Sequence, residues 1–436
     1  MTTSNASLLQ RSLASVWHPC TQMKQHEALP LVPVRRGEGV WLEDFDGKRY
    51  LDGVSSWWVN LFGHNHPHIK QAIAAQLDQL EHVILAGFTH EPVVRLSEQL
   101  SALTGLGHSF YASDGASATE IALKMSFHYW RNHGQPGKTR FLSLQNGYHG
   151  ETLGSLSVTD VALFKDTYAP LLRESVSLPS PDWRLAEPGE SAEQYALRCA
   201  ERAEAYIAEH HAAIAAVIVE PLVQCAAGMA MYHPIYLQRL RALCDRYRVH
   251  LIADEIAVGF GRTGTMFATE QAGIKADFIC LSKGITGGYL PLSVVQTTDD
   301  VYAAFYDDNV ARGFLHSHSY TGNALACSAA LATLEIFAQQ DVLNSNRRKA
   351  DYLNRKLAAW QNLPIVHLRN TGMIWAFDAI PGQPGFQQRF YQAALQRGLL
   401  LRPVGNTVYF MPPYVISEKE MDWMLEQALA ALEESI

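Results

Sequence analysis

The chain has 436 residues, enough for a large buried core and for more than one domain. With 48% hydrophobic and 18% charged residues, the composition is that of a compact globular protein and excludes a disordered one. A formal net charge of −8 leaves no basic excess to neutralise phosphates, which argues against a nucleic-acid or acidic-membrane partner. The six cysteines (Cys20, Cys199, Cys225, Cys244, Cys280 and Cys327) are scattered without a CxxC pair, so neither a disulfide framework nor a structural zinc site is expected. Met1 to Ser12 is polar and lacks the apolar core of a signal segment, and no stretch has the length and apolarity of a membrane span. The sequence reads as that of a cytoplasmic protein.

Taken in chain order, Leu31 to Val34 reads as a strand. Val40 to Asp44 and Phe45 to Tyr50 read as a hairpin around Asp46-Gly47. Trp57 and Trp58, if on a strand, would point one inward and one outward, and the outward ring would form an apolar wall beside a ligand. Pro67 to Val83 is predicted as an amphipathic helix with Ile69, Ile73, Leu77 and Leu80 on one face, and Val93 to Leu103 as a second. From about residue 108 short apolar strands alternate with helices. The strands are Ser109–Ala112, Arg140–Leu144, Ala215–Val219, His250–Ala253, Phe278–Leu281 and Leu292–Gln296, with Pro234 to Tyr247 a helix between two of them. That alternation predicts an α/β layer on a largely parallel sheet. Ser180 to Glu193 reads as a surface loop and the stretch from Thr321 to Gln339 as a long helix. Strands near Met373–Phe377, Leu399–Arg402 and Val408–Met411 suggest a separate α+β unit.

Several strand ends carry chemistry. The run Leu251 to Ala253 ends in Asp254, and the run Phe278 to Leu281 is followed by Ser282, Lys283 and the glycines 284, 287 and 288. A lysine and a carboxylate at buried strand ends match the needs of pyridoxal phosphate. The amine forms a Schiff base with the aldehyde, and the acid keeps the ring nitrogen protonated. Glu220 also ends a strand, and in a parallel sheet these three ends fall along one edge. Tyr148, between glycines in Asn146 to Gly150, would stack on a flat ring; an ordinary turn with an exposed tyrosine also fits. Ser113 to Ala116 joins a strand to a helix, where Gly115 and Ala116 would offer backbone N–H groups to a phosphate. A capped helix start accounts for the same residues. Arg402 follows an apolar strand and would clamp a carboxylate; a surface ion pair is the alternative.

Two patterns are set aside. Gly259 to Gly264 matches G-x-G-x-x-G, but its acid precedes the glycines, against a dinucleotide fingerprint. His64, His66 and His68 are interrupted by Pro67 and lack acidic or thiol neighbours, so no metal site is expected there.

These motifs, above all Ile252 to Gly264 followed by Lys283 and Gly287-Gly288, resemble the class III pyridoxal-phosphate-dependent aminotransferases over nearly the whole chain. Trp17-His18-Pro19, Ser55 to Trp58, Asn146 to Gly150, Met231 to Pro234, Leu401 to Pro403 and Tyr409 to Tyr414 are similar to the branch of that family acting in biotin biosynthesis. The resemblance implies a type I fold, with a large domain over 61–325 and a smaller α+β domain formed by 1–60 and 326–436. It implies a homodimer acting on small molecules, in which 8-amino-7-oxononanoate is aminated, usually by S-adenosylmethionine and in some relatives by lysine. Another class III activity, on ω-amino acids or diamines, is the alternative, and a protein of this fold without transferase activity is a more distant one. By the same resemblance Lys283 is the covalent anchor and proton carrier, Asp254 pairs with the ring nitrogen and Tyr148 stacks. Gly115 and Ala116 bind the phosphate, joined by Ser319 from the neighbouring subunit. Trp57 lines the pocket and Arg402 takes the acceptor carboxylate. Three departures stand out: Cys20 where the family has tyrosine, Glu151 where it has aspartate, and Ser113-Asp114-Gly115-Ala116 in place of Asp-Ser-Gly-Ser. The first weakens the expectation about the donor most, because it removes a phenol from the pocket.

Overall fold

A computed structural model describes residues 4–380 and 384–436; the start of the polar N-terminal stretch, residues 1–3, lies outside the described residues. Seven strands form the central sheet: β1 (His108–Ala112), β2 (Arg140–Leu144), β3 (Val176–Leu178), β4 (Ile214–Val219), β5 (His250–Asp254), β6 (Phe278–Leu281) and β7 (Ser293–Thr297). Their spatial order is β1-β7-β6-β5-β4-β2-β3. The pairings from β6 through β3 are parallel, and β7 runs antiparallel to both its neighbours. Every residue of β4, β5 and β6 is buried. That is the reason their sequences are continuous apolar runs without alternation: helices cover both faces. One such helix, Gly115–Asn132, begins where the Asp114 side chain accepts from the Ser117 N–H at 2.9 Å, and it buries Ile121, Ala122 and Met125.

A second sheet joins the two ends of the chain. Val34–Glu38, Trp41–Asp44 and Arg49–Asp52 are antiparallel neighbours, and Leu399–Leu400 adds alongside Arg49–Asp52 in parallel, with Leu399 opposite Leu51 and Leu400 opposite Asp52. A third sheet pairs Ile365–Thr371, Ile374–Ala379 and Thr407–Phe410. The structure is therefore of α/β class, a mostly parallel sheet with a smaller α+β part built from the N- and C-terminal segments.

The structure differs from the sequence reading in several places. The first strand begins at Val34, not Leu31, because Pro30 and Pro33 have no N–H to give a ladder. The predicted 67–83 helix stops at Leu77, and the Gln76 side-chain amide donates to the Leu80 carbonyl beyond its end. Glu193 lies in the helix Ala192–His210, whose Ser191 and Gln194 form a capping box, so the predicted loop is shorter. Only Leu399 and Leu400 of the run to Arg402 pair as strand. The segment with Trp57 and Trp58 is not a strand at all, as described below. His64, His66 and His68 do not converge: His64 contacts Asp52 and His68 contacts Glu335, and among the described residues no group of three or more His, Cys, Asp or Glu is placed to hold a metal. Among the described residues no helix is long and apolar enough to cross a membrane.

Candidate active site

The C-terminal ends of the parallel strands bring the predicted residues to one edge. Asp254, the last residue of β5, is buried, and its Oδ2 lies 2.7 Å from His149 Nδ1. Its Oδ1 accepts the Ile256 N–H at 3.2 Å. Glu220, one residue past β4, accepts the N–H of Tyr148 and of Cys225, each at 3.2 Å. Burial, and then the Asp254 carboxylate nearby, push the Glu220 carboxyl well above the usual range. Lys283 follows β6, and burial lowers its amine below the ordinary lysine value, opposed by Cys225, Asp254 and Glu220. Asp254, Glu220 and Lys283 thus converge, with His149 as a member that sequence reasoning missed. Its only signal was a histidine inside the same glycine-flanked loop as Tyr148.

Two features show a site shaped for a bound group. The N–H groups of Gly115 and Ala116 have no hydrogen-bond partner among the described residues, because the Asp114 cap takes the Ser117 N–H instead. They remain as free donors at the positive end of an 18-residue helix. His149 Nε2 is buried without a partner. A planar group with an anionic phosphate, a protonated ring nitrogen and an aldehyde would use the free donors, the Asp254 carboxylate and the Lys283 amine. The residues present fit pyridoxal phosphate.

The wall of the site is built by an unusual backbone. Ser55, Ser56, Trp57 and Trp58 all have positive φ, from 47° to 73°. Ser56 (47°, 53°) and Trp57 (70°, 46°) sit squarely in the left-handed helical region. Trp58 N–H donates to Val54 and Val59 N–H to Ser55, so this is one turn of left-handed helix made without glycine. Each such residue costs roughly 1–2 kcal/mol, so the surroundings must hold the turn. The expectation that one tryptophan faces in and one out is met, though by a turn: Trp58 is 6% exposed and Trp57 46%. The Lys283 amine lies 4.4 Å from the Trp58 ring centroid, and the Arg402 guanidinium 5.1 Å from that of Trp57.

Around this wall, Arg402 Nη2 also donates to the Cys20 carbonyl at 3.0 Å. Tyr148 donates its hydroxyl to Glu151 at 2.8 Å, and burial together with that acceptor raises its phenol above the ordinary tyrosine value. The residues that depart from the family pattern therefore sit beside the predicted site. Ser319 does not: it is exposed, its carbonyl lies 2.6 Å from His82 Nε2, and it hydrogen-bonds neither Gly115 nor Ala116 of its own chain.

The sequence profile of the class-III aminotransferases matches residues 22–432, and the chain belongs to that family. Within it, the chain is 44% identical to the adenosylmethionine-8-amino-7-oxononanoate aminotransferase of Helicobacter pylori, over 98% of this chain and 97% of the relative. It is 40% identical to that of Aquifex aeolicus, over 96% and 95%. Among solved structures, the adenosylmethionine-8-amino-7-oxononanoate aminotransferase of Methanocaldococcus jannaschii matches with a TM-score of 0.92 at 35% identity, covering 98% of this chain and 99% of that one. A thermostable (S)-enantioselective omega-transaminase from Thermomicrobium roseum matches with a TM-score of 0.95 at 30% identity, covering all of both chains. Backbone shape is common to both activities.

Proposed function

We propose that the chain catalyses pyridoxal-phosphate-dependent transfer of an amino group to the ketone of 8-amino-7-oxononanoate, giving 7,8-diaminononanoate, with S-adenosylmethionine as the donor. The observation that carries this reading is the Lys283 amine over the Trp58 ring, at the strand edge that also holds the buried Asp254–His149 pair, with Trp57 and Arg402 alongside. The names of the Helicobacter and Aquifex relatives support the choice of acceptor.

When bound, the cofactor supplies an aldehyde and an electron-withdrawing ring that stabilises charge at the substrate carbon. Asp254 would hold a proton on the ring nitrogen, with His149 fixing the orientation of its carboxylate. Gly115 and Ala116 would bind the phosphate through backbone N–H groups. Tyr148, its hydroxyl tied to Glu151, would stack against the ring. Lys283 is the covalent anchor, and its Nζ takes the proton from the donor carbon and later returns one to the acceptor carbon. A lowered amine pKa raises the neutral fraction able to do so. Trp58 would shield that exchange from water while the more exposed Trp57 lines the pocket, and Arg402 would take the acceptor carboxylate.

A cytoplasmic homodimer belongs to the same reading, with Ser319 of the partner subunit completing the phosphate site and the chain divided at about residues 60 and 325. Exposed Leu315, Tyr306 and Tyr320, at 78%, 81% and 65%, support an apolar contact near Ser319. Transamination with ω-amino acids or diamines as amino donors is the second reading, favoured by the match to the Thermomicrobium structure. Mixing the purified protein with 8-amino-7-oxononanoate and S-adenosylmethionine, or with lysine, and identifying products by mass separates these readings. Failure to form 7,8-diaminononanoate with either donor, with turnover of ω-amines instead, would replace the first by the second.

A further inference from the structure

The left-handed turn needs an anchor, and its bonds identify one. Asp52 is the last residue of the Arg49–Asp52 strand and is fully buried. Its Oδ1 accepts the Ser56 N–H at 2.9 Å, and its Oδ2 accepts the Ser56 hydroxyl at 2.7 Å. His64 Nε2 also lies 3.0 Å from Oδ2, and the other nitrogen of that ring lies 3.1 Å from the Asn60 amide. Ser55 Oγ donates to the Met411 carbonyl and Trp58 Nε1 to the Tyr409 hydroxyl. Asp52, Ser56 and His64 make no hydrogen bond to Lys283, Asp254 or the Gly115–Ala116 donors among the described residues, yet the backbone they hold carries both tryptophans of the wall.

The same turn is gripped from the lysine side. Gly288 has a φ of 88°, and a Cβ there would come within 3.0 Å of the Val59 carbonyl. The loop after Lys283 therefore lies against the segment that Asp52 fixes. On the other flank, Asp52 pairs in register with Leu400, two residues before Arg402. One buried carboxylate thus fixes the tryptophan turn whose far end the lysine loop packs against, and pairs beside the strand that leads to Arg402.

Resting on the function proposed above, we infer that Asp52, with Ser56 and His64, is a positioning latch that forces the 55–58 turn into its left-handed form, holding Trp58 against Lys283 and Trp57 against Arg402, and so sets the affinity for the acceptor. Without the latch the four residues would relax to negative φ and both rings would swing from their places. The reactive amine would lose its apolar cover, leaving Asp254, Glu220 and Cys225 as the groups that face it.

Ser56→Gly separates positioning from simple stability. Glycine accepts a φ of 47° without strain, so the fold should hold or gain in thermal midpoint while the hydroxyl anchor is lost. The expected result is an acceptor KM raised about tenfold, the worth of one hydrogen bond to a buried carboxylate, with the donor half-reaction changed less than about twofold. Asp52→Asn should act in the same direction and more strongly. In full-length protein stripped of cofactor, trinitrobenzenesulfonate labelling of Lys283, located by peptide mass and followed against pH, should accelerate in both variants. Unchanged KM and unchanged labelling in Ser56→Gly would overturn the latch, as would a loss of thermal midpoint in Asp52→Asn with no change in either readout. A wild-type protein inert towards 8-amino-7-oxononanoate, but with variant-dependent Lys283 labelling, would remove the proposed acceptor and leave the latch standing.

Discussion

The two ends of strand β5 bury ionisable groups in opposite ways. At its start, His250 Nδ1 lies 2.9 Å from Ser126 Oγ and its ring stacks on Trp130. Beside it the buried Lys138 ammonium donates to three carbonyls, those of His211, Ile214 and Arg248, and lies over Trp130. At its finish, Asp254 meets His149, whose Nε2 has no partner, and the Lys283 amine makes no hydrogen bond among the described residues. The residues around it, Ser55 to Trp58 and Lys283 itself, hold positive φ. A lysine with every donor satisfied is part of the fold. One left without partners in a half-buried, strained setting is available for chemistry. Lys138 is buried with its donors placed and Lys283 is half-buried with none placed; the count of partners is what marks the reactive one.

Exchanging the roles of the two lysines breaks this contrast most sharply. Lys283→Ala should fold and still bind the cofactor, without the covalent anchor, but lose transamination by orders of magnitude, since one group is both anchor and proton carrier; near-normal single-turnover rates would defeat the assignment. Lys138→Ala should do the reverse, costing roughly 3 kcal/mol of stability by stranding three carbonyls, with kcat per folded molecule unchanged. Denaturant unfolding alongside a rate assay measures both.

The pH response sharpens the comparison further. Burial lowers His250 from 6.5 to about 4, and the nearby Arg241 and Lys138 charges act in the same direction against Asp277. The folded state therefore binds this proton less readily than the unfolded chain. Stability from the neutral ring is intact above pH 6.5 and is lost as pH falls to about 4, by something of order 3 kcal/mol. In His250→Phe that acid slope should flatten, as thermal midpoints across the range would record. The smallest effect is expected at Arg402. Because its guanidinium is partly exposed and shared with the Cys20 carbonyl, Arg402→Ala should weaken acceptor binding by about 2 kcal/mol, the low end for one side of a charge pair. The donor half-reaction should suffer less, and equal damage to both halves in single turnover would count against an acceptor-specific role.

Much of the large sheet was legible because its strands are continuous apolar runs ending in chemically distinctive residues. Asp254, Glu220 and Lys283 could be placed on one edge from topology alone. What remained hidden depended on contacts between distant segments. Val176–Leu178 is too short to stand out, and the role of His149 exists only once β2 and β5 lie two strands apart in one sheet. Ser-Ser-Trp-Trp carries no glycine to announce a left-handed turn. Its geometry is imposed by Asp52, whose partners at Ser56 and His64 form no recognisable spacing. For Arg402 the residues alone left a carboxylate clamp and a surface ion pair both open, and its stacking on the Trp57 ring depends on the turn that sequence could not show.

The parallel pairing of Leu399 with Leu51 has a consequence for how the protein comes into being. Strands β1 to β7 are complete once residue 297 has left the ribosome, so Asp254 and Lys283 can take their places early. The edge beside Asp52 has to wait until almost the last of the chain is synthesised. Such long-range closure is slow and leaves Arg49–Asp52 temporarily as an open strand edge. A nascent chain stalled before residue 399 would carry an assembled lysine site with an unfinished arginine side, exposed to chaperones during that interval.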